Sequence, residues 1–162
     1  MKIIRNTGLL FFICMQTSFL WHRVNAVNIS DLQKEIIKNN DTLYVVNFWA
    51  TWCAPCVKEL PSFKAVYTRY ASNKVKMIYV SLNSMQELAK VEKFAEDNSL
   101  KPEVLLLNEN NPNSWINKID SGWSGTIPAT GIYRNGKKIY FQEGDFTEDK
   151  LNNLIQAKLN KP

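Results

Sequence analysis

The spacing of apolar residues changes along the chain and predicts the order of its helices and strands. Leu43 to Trp49 (LYVVNFW) is apolar on both faces, which is typical of a strand in the middle of a sheet. From Val57 to Tyr70 the apolar residues recur three or four apart, which indicates a helix kinked by Pro61. A second strand is predicted for Val75 to Leu82, and Ser84 opens another helix.

Shorter patterns complete the set of elements. We expect Ser30 to cap an early helix that ends at Asn39-Asn40. Glu103 to Leu107 (EVLLL) predicts a short strand, and Asn113 to Ile119 predicts a short helix.

The C-terminal part predicts a hairpin and a closing helix. Asn135-Gly136 separates the apolar runs Ala129 to Tyr133 and Lys138 to Phe141, and Asn-Gly suits both left-handed positions of a type I′ turn. Thr147 then caps the last helix. Strands and helices therefore alternate before a final hairpin, and this order predicts an α/β sandwich.

The first 26 residues follow a different pattern. Lys2 and Arg5 precede the apolar run from Leu9 to Leu20, and Val24-Asn25-Ala26 then supplies a small-residue site for cleavage by a signal peptidase. This is the layout of a secretory signal peptide, so we predict a leader over 1–26 and one domain over 27–162. An uncleaved membrane anchor is the main alternative, although the run is shorter than the roughly 20 residues of a membrane-spanning helix.

Removing the leader changes the composition. The leader has three basic residues and no acidic one, so the formal net charge falls from +5 to +2, and no nucleic-acid partner is expected. Its loss also removes His22 and Cys14. A lipid anchor on Cys14 is disfavoured because Ile13 stands where a small residue is expected. Two cysteines and no histidine remain.

Those two cysteines, Cys53 and Cys56, form a C-x-x-C motif with three competing uses. Structural zinc needs four cysteine or histidine ligands, so we predict no metal, and no other cofactor. A purely structural disulfide suits an oxidising compartment, but closing so short a loop adds little stability. Redox catalysis is the third use.

The position of the pair favours redox catalysis. Residues three apart on a helix share a face, which permits the Cα separation of ~4.4–6.8 Å that a disulfide requires. Where the helix begins, free backbone N–H groups and the helix dipole stabilise the Cys53 thiolate as a nucleophile. Cys56 then resolves the mixed disulfide from one turn deeper. Pro55 fits the first turn, where its missing N–H costs nothing.

The run WCAPC resembles the active site of thioredoxins, and NFWATWCAPCVKELPSF is similar to their extracytoplasmic TlpA- and ResA-like branch. Pro61 matches the helix-kinking proline of that branch, Thr126 to Ala129 its cis-proline segment, Glu103 to Ile119 its insertion, and Gly144 a common glycine. The resemblance covers about 28–160. It implies a thioredoxin-like three-layer α/β/α sandwich with a mixed central sheet and a TlpA-type strand–helix insertion.

The resemblance also implies roles around the cysteines. A cis bond at Pro128 would place the backbone of Ile127 beside them, where an extended substrate chain can pair with it. Asn47 stands where cytoplasmic-type thioredoxins have a buried aspartate that handles the proton of the resolving thiol. Asparagine does not titrate. We therefore expect Glu59, which ResA-like proteins share, to set the proton affinity of Cys56; a solvated helix glutamate is the alternative.

Three tryptophans receive different interpretations. Trp52 is expected to shield the site and to form part of a docking surface because it precedes Cys53 in the motif. Trp49 is expected in the core. Trp123, in the loop before the hairpin, either lines a substrate groove or packs in the core, and the sequence does not separate the two.

We therefore predict a thiol–disulfide oxidoreductase of the cell envelope (periplasm), acting as a reductase on protein thiols and disulfides. It is expected to be a monomer that a membrane thiol donor keeps reduced. Strong oxidants of the DsbA kind have a histidine before the second cysteine, whereas this chain has Pro55. The resemblance implies apocytochrome c as a substrate, and so a role in cytochrome c biogenesis.

Three rival functions stay open. One is a general disulfide oxidase or isomerase. A second is a peroxiredoxin-like peroxidase, which needs a Thr-x-x-Cys context and a nearby arginine, whereas no arginine lies between Asn28 and Ala65. The third is a partner-binding module without catalysis, which the intact Cys53, Cys56 and Pro128 disfavour.

Overall fold

A mixed six-stranded sheet forms the centre of the computed structural model, which describes residues 23–70 and 74–160. The order across the sheet is β1-β4-β3-β2-β5-β6. The first four strands in this order run parallel, while β5 is antiparallel to β2 and β6 to β5. The strands are β1 Asn25–Val27, β2 Leu43–Trp49, β3 Val75–Ser81, β4 Glu103–Leu107, β5 Ala129–Arg134 and β6 Lys137–Glu143.

Helices cover both faces of the sheet. They are α1 Ile29–Ile36, α2 Ala54–Tyr70, α3 Leu88–Asp97, α4 Ile116–Ile119 and α5 Glu148–Leu159, with 3₁₀ turns at Met85–Glu87 and Pro112–Ser114. Alternate residues of β2 point to opposite faces. Val45 and Trp49 belong to the core formed with α2, α3 and α5, whereas Val46 and Phe48 belong to the core formed with α1 and α4. This arrangement confirms the three-layer sandwich and the inserted strand and helix.

The central strand β2 brings polar residues of three strands to one place. Asn47 lies opposite Tyr79 of β3 and opposite Thr130 of β5. Residues that face each other across a sheet share one of its sides. The three side chains therefore lie on the side covered by α2, where the cysteines are.

The N-terminal part differs from the prediction. α1 begins at Ile29 and ends at Ile36, and its cap is Asn28, whose Oδ1 accepts the Asp31 N–H at 2.9 Å. The prediction of a Ser30 cap was wrong because Ile29 is itself buried and joins the first turn. β1 was not predicted. It pairs with Leu105–Leu107, so the predicted leader boundary at Ala26 lies inside a strand.

The remaining elements agree closely with the sequence pattern. Asn135 and Gly136 form the hairpin turn with φ of +51° and +71°, as expected for Asn-Gly. Thr147 caps α5 by accepting the Lys150 N–H at 3.4 Å. The helix predicted over Asn113 to Ile119 is divided into a 3₁₀ turn and α4. Over 23–70 and 74–160, no helix has both the length and the apolar character needed to cross a bilayer.

Candidate redox site

The two cysteines lie at the junction between β2 and α2. A turn follows Trp49, in which the Cys53 N–H donates to the Ala50 carbonyl at 3.1 Å, and α2 begins at the next residue. Cys53 and Cys56 form a disulfide with an S–S length of 2.05 Å and a Cα–Cα distance of 5.3 Å. Cys53 is 6% exposed and Cys56 is fully buried. The outer sulfur is therefore Cys53 and the inner one Cys56, as the spacing predicts.

The start of α2 gives Cys53 an environment that favours negative charge. The Cys56 N–H donates to the Cys53 Sγ at 3.3 Å. The first turn of this 17-residue helix has no acidic residue to oppose an anion. The free N–H groups and the dipole of a helix stabilise an anion at this end. When the disulfide is open, Cys53 is thus the sulfur placed to be a thiolate.

The loop before β5 forms the other wall of the site. The peptide bond between Ile127 and Pro128 is cis, as the resemblance implied. The carbonyl oxygen of Ile127 lies 3.7 Å from the Cys53 Sγ. Next to it, the Pro128 carbonyl accepts the Gly144 N–H at 2.8 Å, which fixes this segment to the end of β6. A backbone carbonyl thus lies directly beside the reactive sulfur.

Glu59 lies inside the protein, one helical turn after Cys56. It is 3% exposed, so the alternative of a solvated helix glutamate is wrong. Its Oε1 accepts the Asn47 Nδ2–H at 2.8 Å, and its Oε2 accepts the Phe146 N–H at 2.8 Å. Burial raises the pKa of Glu59 to about 7, and the two hydrogen bonds offset part of this rise. Glu59 can therefore hold or release a proton near neutral pH.

Asn47 positions this carboxyl group without titrating. Its Nδ2 also donates to the Thr130 Oγ1 at 3.3 Å. Tyr79, opposite Asn47 on β3, has its pKa raised by burial and by the charge of Glu59. Tyr79 is therefore protonated at neutral pH, and Glu59 is the group in this buried cluster that changes protonation there.

A groove lies beside Trp52 and Ile127, the neighbours of Cys53, and extends towards the inserted segment. Trp52 is 61% exposed and lies on its rim, which places it at the surface as predicted. The groove has a volume of about 340 Å³, and its walls include Met85, Trp115 and Ile127. Glu109 is the one charged residue among the groove residues of the described chain. A mostly apolar surface thus adjoins the redox pair.

Trp49 and Trp123 are structural. Trp49 is fully buried, which confirms its place in the core. Trp123 is buried against Phe48 at a centroid distance of 4.9 Å and against Trp115 at 5.4 Å. Its Nε1–H donates to the Thr126 carbonyl at 2.9 Å. Trp123 therefore packs beneath the loop before Pro128 and does not line the groove.

One buried polar residue beside the site was missed in the sequence. Asn83 lies just after β3, and its side chain accepts the Thr51 N–H at 2.9 Å. Its position in the sequence could have indicated it, because Asn83 follows the carboxyl end of β3. The carboxyl ends of neighbouring parallel strands meet at one edge of a sheet, so Asn83 is expected near the residues that follow β2. Across 23–70 and 74–160, no group of three or more His, Cys, Asp and Glu side chains is arranged to bind a metal ion.

The sheet order, the cysteine pair and the cis-proline together define a thioredoxin-like fold. The family model described as the AhpC/TSA family matches residues 22–141, and the chain belongs to that family.

Two similar proteins have names that state an activity. The sporulation thiol-disulfide oxidoreductase A of Bacillus subtilis is 39% identical over 89 residues, covering 54% of this chain and 50% of that protein. The thiol-disulfide oxidoreductase ResA of Oceanobacillus iheyensis is 28% identical over 133 residues, covering 81% of this chain and 61% of that protein. The chain thus spans only about half to three fifths of the length of these relatives.

Solved structures agree with the fold. StoA from Bacillus subtilis superposes with a TM-score of 0.57 at 26% identity, covering 74% of this chain and 86% of that one. An uncharacterized thioredoxin-like protein from Porphyromonas gingivalis gives a TM-score of 0.56 at 31% identity, covering 73% and 75% of the two chains.

Proposed function

We propose that the protein is a thiol–disulfide oxidoreductase that exchanges its Cys53–Cys56 pair with disulfides of other proteins. The observation that carries this proposal is the pair itself: a disulfide at the beginning of α2, with Ile127 beside its outer sulfur. The names of the relatives, sporulation thiol-disulfide oxidoreductase A and ResA, support the same reaction.

In the reducing direction, the Cys53 thiolate attacks one sulfur of a substrate disulfide. A bond forms between Cys53 and that sulfur, and the other substrate sulfur leaves as a thiolate. The Cys56 thiolate then attacks the Cys53 Sγ, which closes the protein disulfide and releases the second substrate sulfur. Two electrons pass from the cysteine pair to the substrate, and an external thiol donor, which we propose to be membrane-bound, must restore the pair.

Glu59 supplies the proton acceptor that the second step needs. Cys56 is fully buried, so its thiol must lose a proton inside the protein before it attacks. Glu59 lies three residues further on the same helix and titrates near neutral pH. We expect Glu59→Gln to change the pKa of the Cys56 thiol, measured by its pH-dependent alkylation in the reduced protein. Unchanged pKa values for both thiols would exclude this role.

A protein substrate is favoured by the surface beside the site. Trp52, which precedes Cys53, and Met85 both expose apolar area, and both line the groove. An extended chain can contact this surface and also reach the Ile127 backbone. The haem-binding cysteines of apocytochrome c are one such substrate, which we propose on the resemblance to the ResA-like branch.

We place the reaction in the cell envelope, on the basis of the N-terminal pattern over 1–26. Val24 is buried and β1 begins at Asn25, which supports a folded part that starts before the predicted boundary at Ala26. A retained anchor, or cleavage nearer the N-terminus, preserves β1. The intact mass of the protein from the envelope fraction distinguishes these from cleavage after Ala26.

The function is tested by reduction of insulin disulfides with dithiothreitol as donor. We expect turnover well above the donor alone, and faster reaction with insulin than with glutathione disulfide at equal concentration, because only insulin can use the apolar surface. Consumption of hydrogen peroxide, measured in parallel, should stay at background. Peroxide turnover without insulin reduction would favour the peroxidase instead. A reduction potential well above ~−180 mV would favour an oxidase or isomerase.

A further inference from the structure

The side-chain amide of Asn83 uses all of its hydrogen-bonding positions. It is 2% exposed and lies outside the helices and strands, two residues after β3. Its Oδ1 accepts from the Thr51 N–H at 2.9 Å and from the Ser81 Oγ–H at 2.9 Å. Its Nδ2 donates to the Thr51 Oγ1 at 2.8 Å and to the Glu87 Oε2 at 3.1 Å. An amide can make four such bonds, and here all four are made.

The partners also require an amide at this position. The backbone N–H of Thr51 can only donate, so an oxygen must face it. The carboxylate of Glu87 can only accept, so a donor must face it on the other side, and the amide N–H provides one. The hydrogen bond from Asn83, followed by that from Lys90, holds the pKa of Glu87 below its usual range. Glu87 is therefore charged at neutral pH, and a carboxylate at position 83 would be repelled.

The segment that Asn83 holds is the turn that carries Cys53. Thr51 lies between the end of β2 and the start of α2, two residues before the nucleophile. The backbone N–H and the hydroxyl of Thr51 are both bound to the Asn83 amide. The next residue, Trp52, is mostly exposed and so contributes little packing to the turn. These polar contacts therefore help to hold the turn, together with the Cys53 N–H bond to the Ala50 carbonyl at 3.1 Å and the Leu82 N–H bond to the Trp49 carbonyl at 2.8 Å.

We propose that Asn83 is a positioning residue for the thiol–disulfide reaction, holding the turn so that the Cys53 sulfur meets the first N–H groups of α2. Through Glu87 it also ties this turn to the start of α3. The inference rests on the proposed role of Cys53 as nucleophile. Asn83 also lines the groove, but the role proposed here acts through the Thr51 turn: the residue sets how well the helix stabilises the thiolate. Loss of the amide should leave Cys53 less well aligned with the Cys56 N–H, which lies 3.3 Å from its sulfur.

The test compares Asn83→Ala with a matched control, Asn98→Ala. Asn98 donates from its side chain to the Phe94 carbonyl at the end of α3, away from the Thr51 turn, so its removal reports a loss of stability alone. In Asn83→Ala we expect the pKa of the Cys53 thiol, measured by iodoacetamide alkylation against pH, to rise by about one. The equilibrium with glutathione should shift towards the disulfide, because the reduced form has lost stabilisation of its thiolate. Asn98→Ala should change neither.

A pair of variants separates alignment from loss of packing. Asn83→Asp keeps the size of the side chain but sets a carboxylate against Glu87, and it should raise the thiol pKa at least as much as Asn83→Ala. The double variant Asn83→Asp/Glu87→Gln has the same total charge as the wild type. The amide at position 87 can then donate to the carboxylate at position 83, which reverses the direction of the wild-type hydrogen bond. We therefore expect the double variant to recover most of the wild-type thiol pKa.

Two results would overturn the proposal: a Cys53 pKa in Asn83→Ala equal to that of the wild type, or a double variant no better than Asn83→Asp. Insulin reduction by the wild type tests the proposed function independently of these pKa values. If the wild type reduces insulin and these pKa values do not move, the positioning role alone is wrong. If the wild type has no thiol activity, the proposed function fails as well.

Discussion

Replacing Cys53 with serine should reduce insulin-disulfide reduction to the background rate, a loss on the order of 1000-fold, because a hydroxyl is a far weaker nucleophile at neutral pH than a thiolate. Replacing Cys56 with serine should give a different defect. Cys53 keeps its place at the start of α2 and still attacks, but nothing resolves the mixed disulfide. Substrate should then accumulate on Cys53, and non-reducing electrophoresis followed by mass spectrometry should identify it.

The asymmetry between the two variants is the informative result. Cys14, which lies outside the described residues, provides a matched control, and Cys14→Ser should retain the wild-type rate. Equal trapping by Cys53→Ser and Cys56→Ser would contradict the assignment of outer and inner sulfurs. Trapping experiments in cells would also distinguish apocytochrome c from other envelope proteins as the substrate.

The second large effect concerns stability and arises from Glu59. Its pKa is about 7 in the folded protein, against an ordinary value of 4.5, because burial disfavours the charged form. Below pH 4.5 both the folded and unfolded states hold the proton. Between pH 4.5 and 7 the folded state holds the Glu59 proton more tightly than the unfolded state does. The free energy of unfolding therefore falls as the pH rises towards 7, and it levels off above the folded-state pKa. The full loss is about 3 kcal/mol.

Glu59→Gln removes this titration. The free energy of unfolding of the wild type, minus that of the variant, should therefore fall by about 3 kcal/mol between pH 4 and pH 8. Urea unfolding of the oxidised proteins at several pH values measures it. Glu96→Gln, on the surface of α3, should show no such trend. A difference that is constant across this range would mean that Glu59 is not protonated in the folded state at pH 6.

The central strands and the cysteine pair could be predicted because their signals are local. β2 was found with the bounds that the structure has, since seven consecutive residues are buried and apolar apart from Asn47. The pair was identified from its spacing and from the strand before it. The cap of α1 could not be decided in the same way. Asn28 and Ser30 are both good capping residues, and the burial of Ile29 against the sheet selects the first.

The contacts around the cysteines were harder to predict because they join distant parts of the chain. Glu59 was chosen by resemblance, but its bond to the Phe146 N–H crosses 87 residues of sequence. Asn83 reaches Thr51 across 32 residues, and Asn83 belongs to no motif. β1 is a three-residue strand whose partner lies 80 residues away, too short for any periodicity to show. Such contacts depend on how the strands are ordered in the sheet.

The difference in burial between the two sulfurs has a kinetic consequence. Only Cys53 reaches the surface, so a substrate disulfide and the donor thiol that restores the pair must use the same atom. They cannot occupy it together, and each must leave before the other arrives. Steady-state rates measured against both reactants should therefore follow a ping-pong pattern, with parallel lines in a double-reciprocal plot. A substrate disulfide in excess therefore competes with the donor thiol for the Cys53 sulfur, and a donor in excess competes with the substrate.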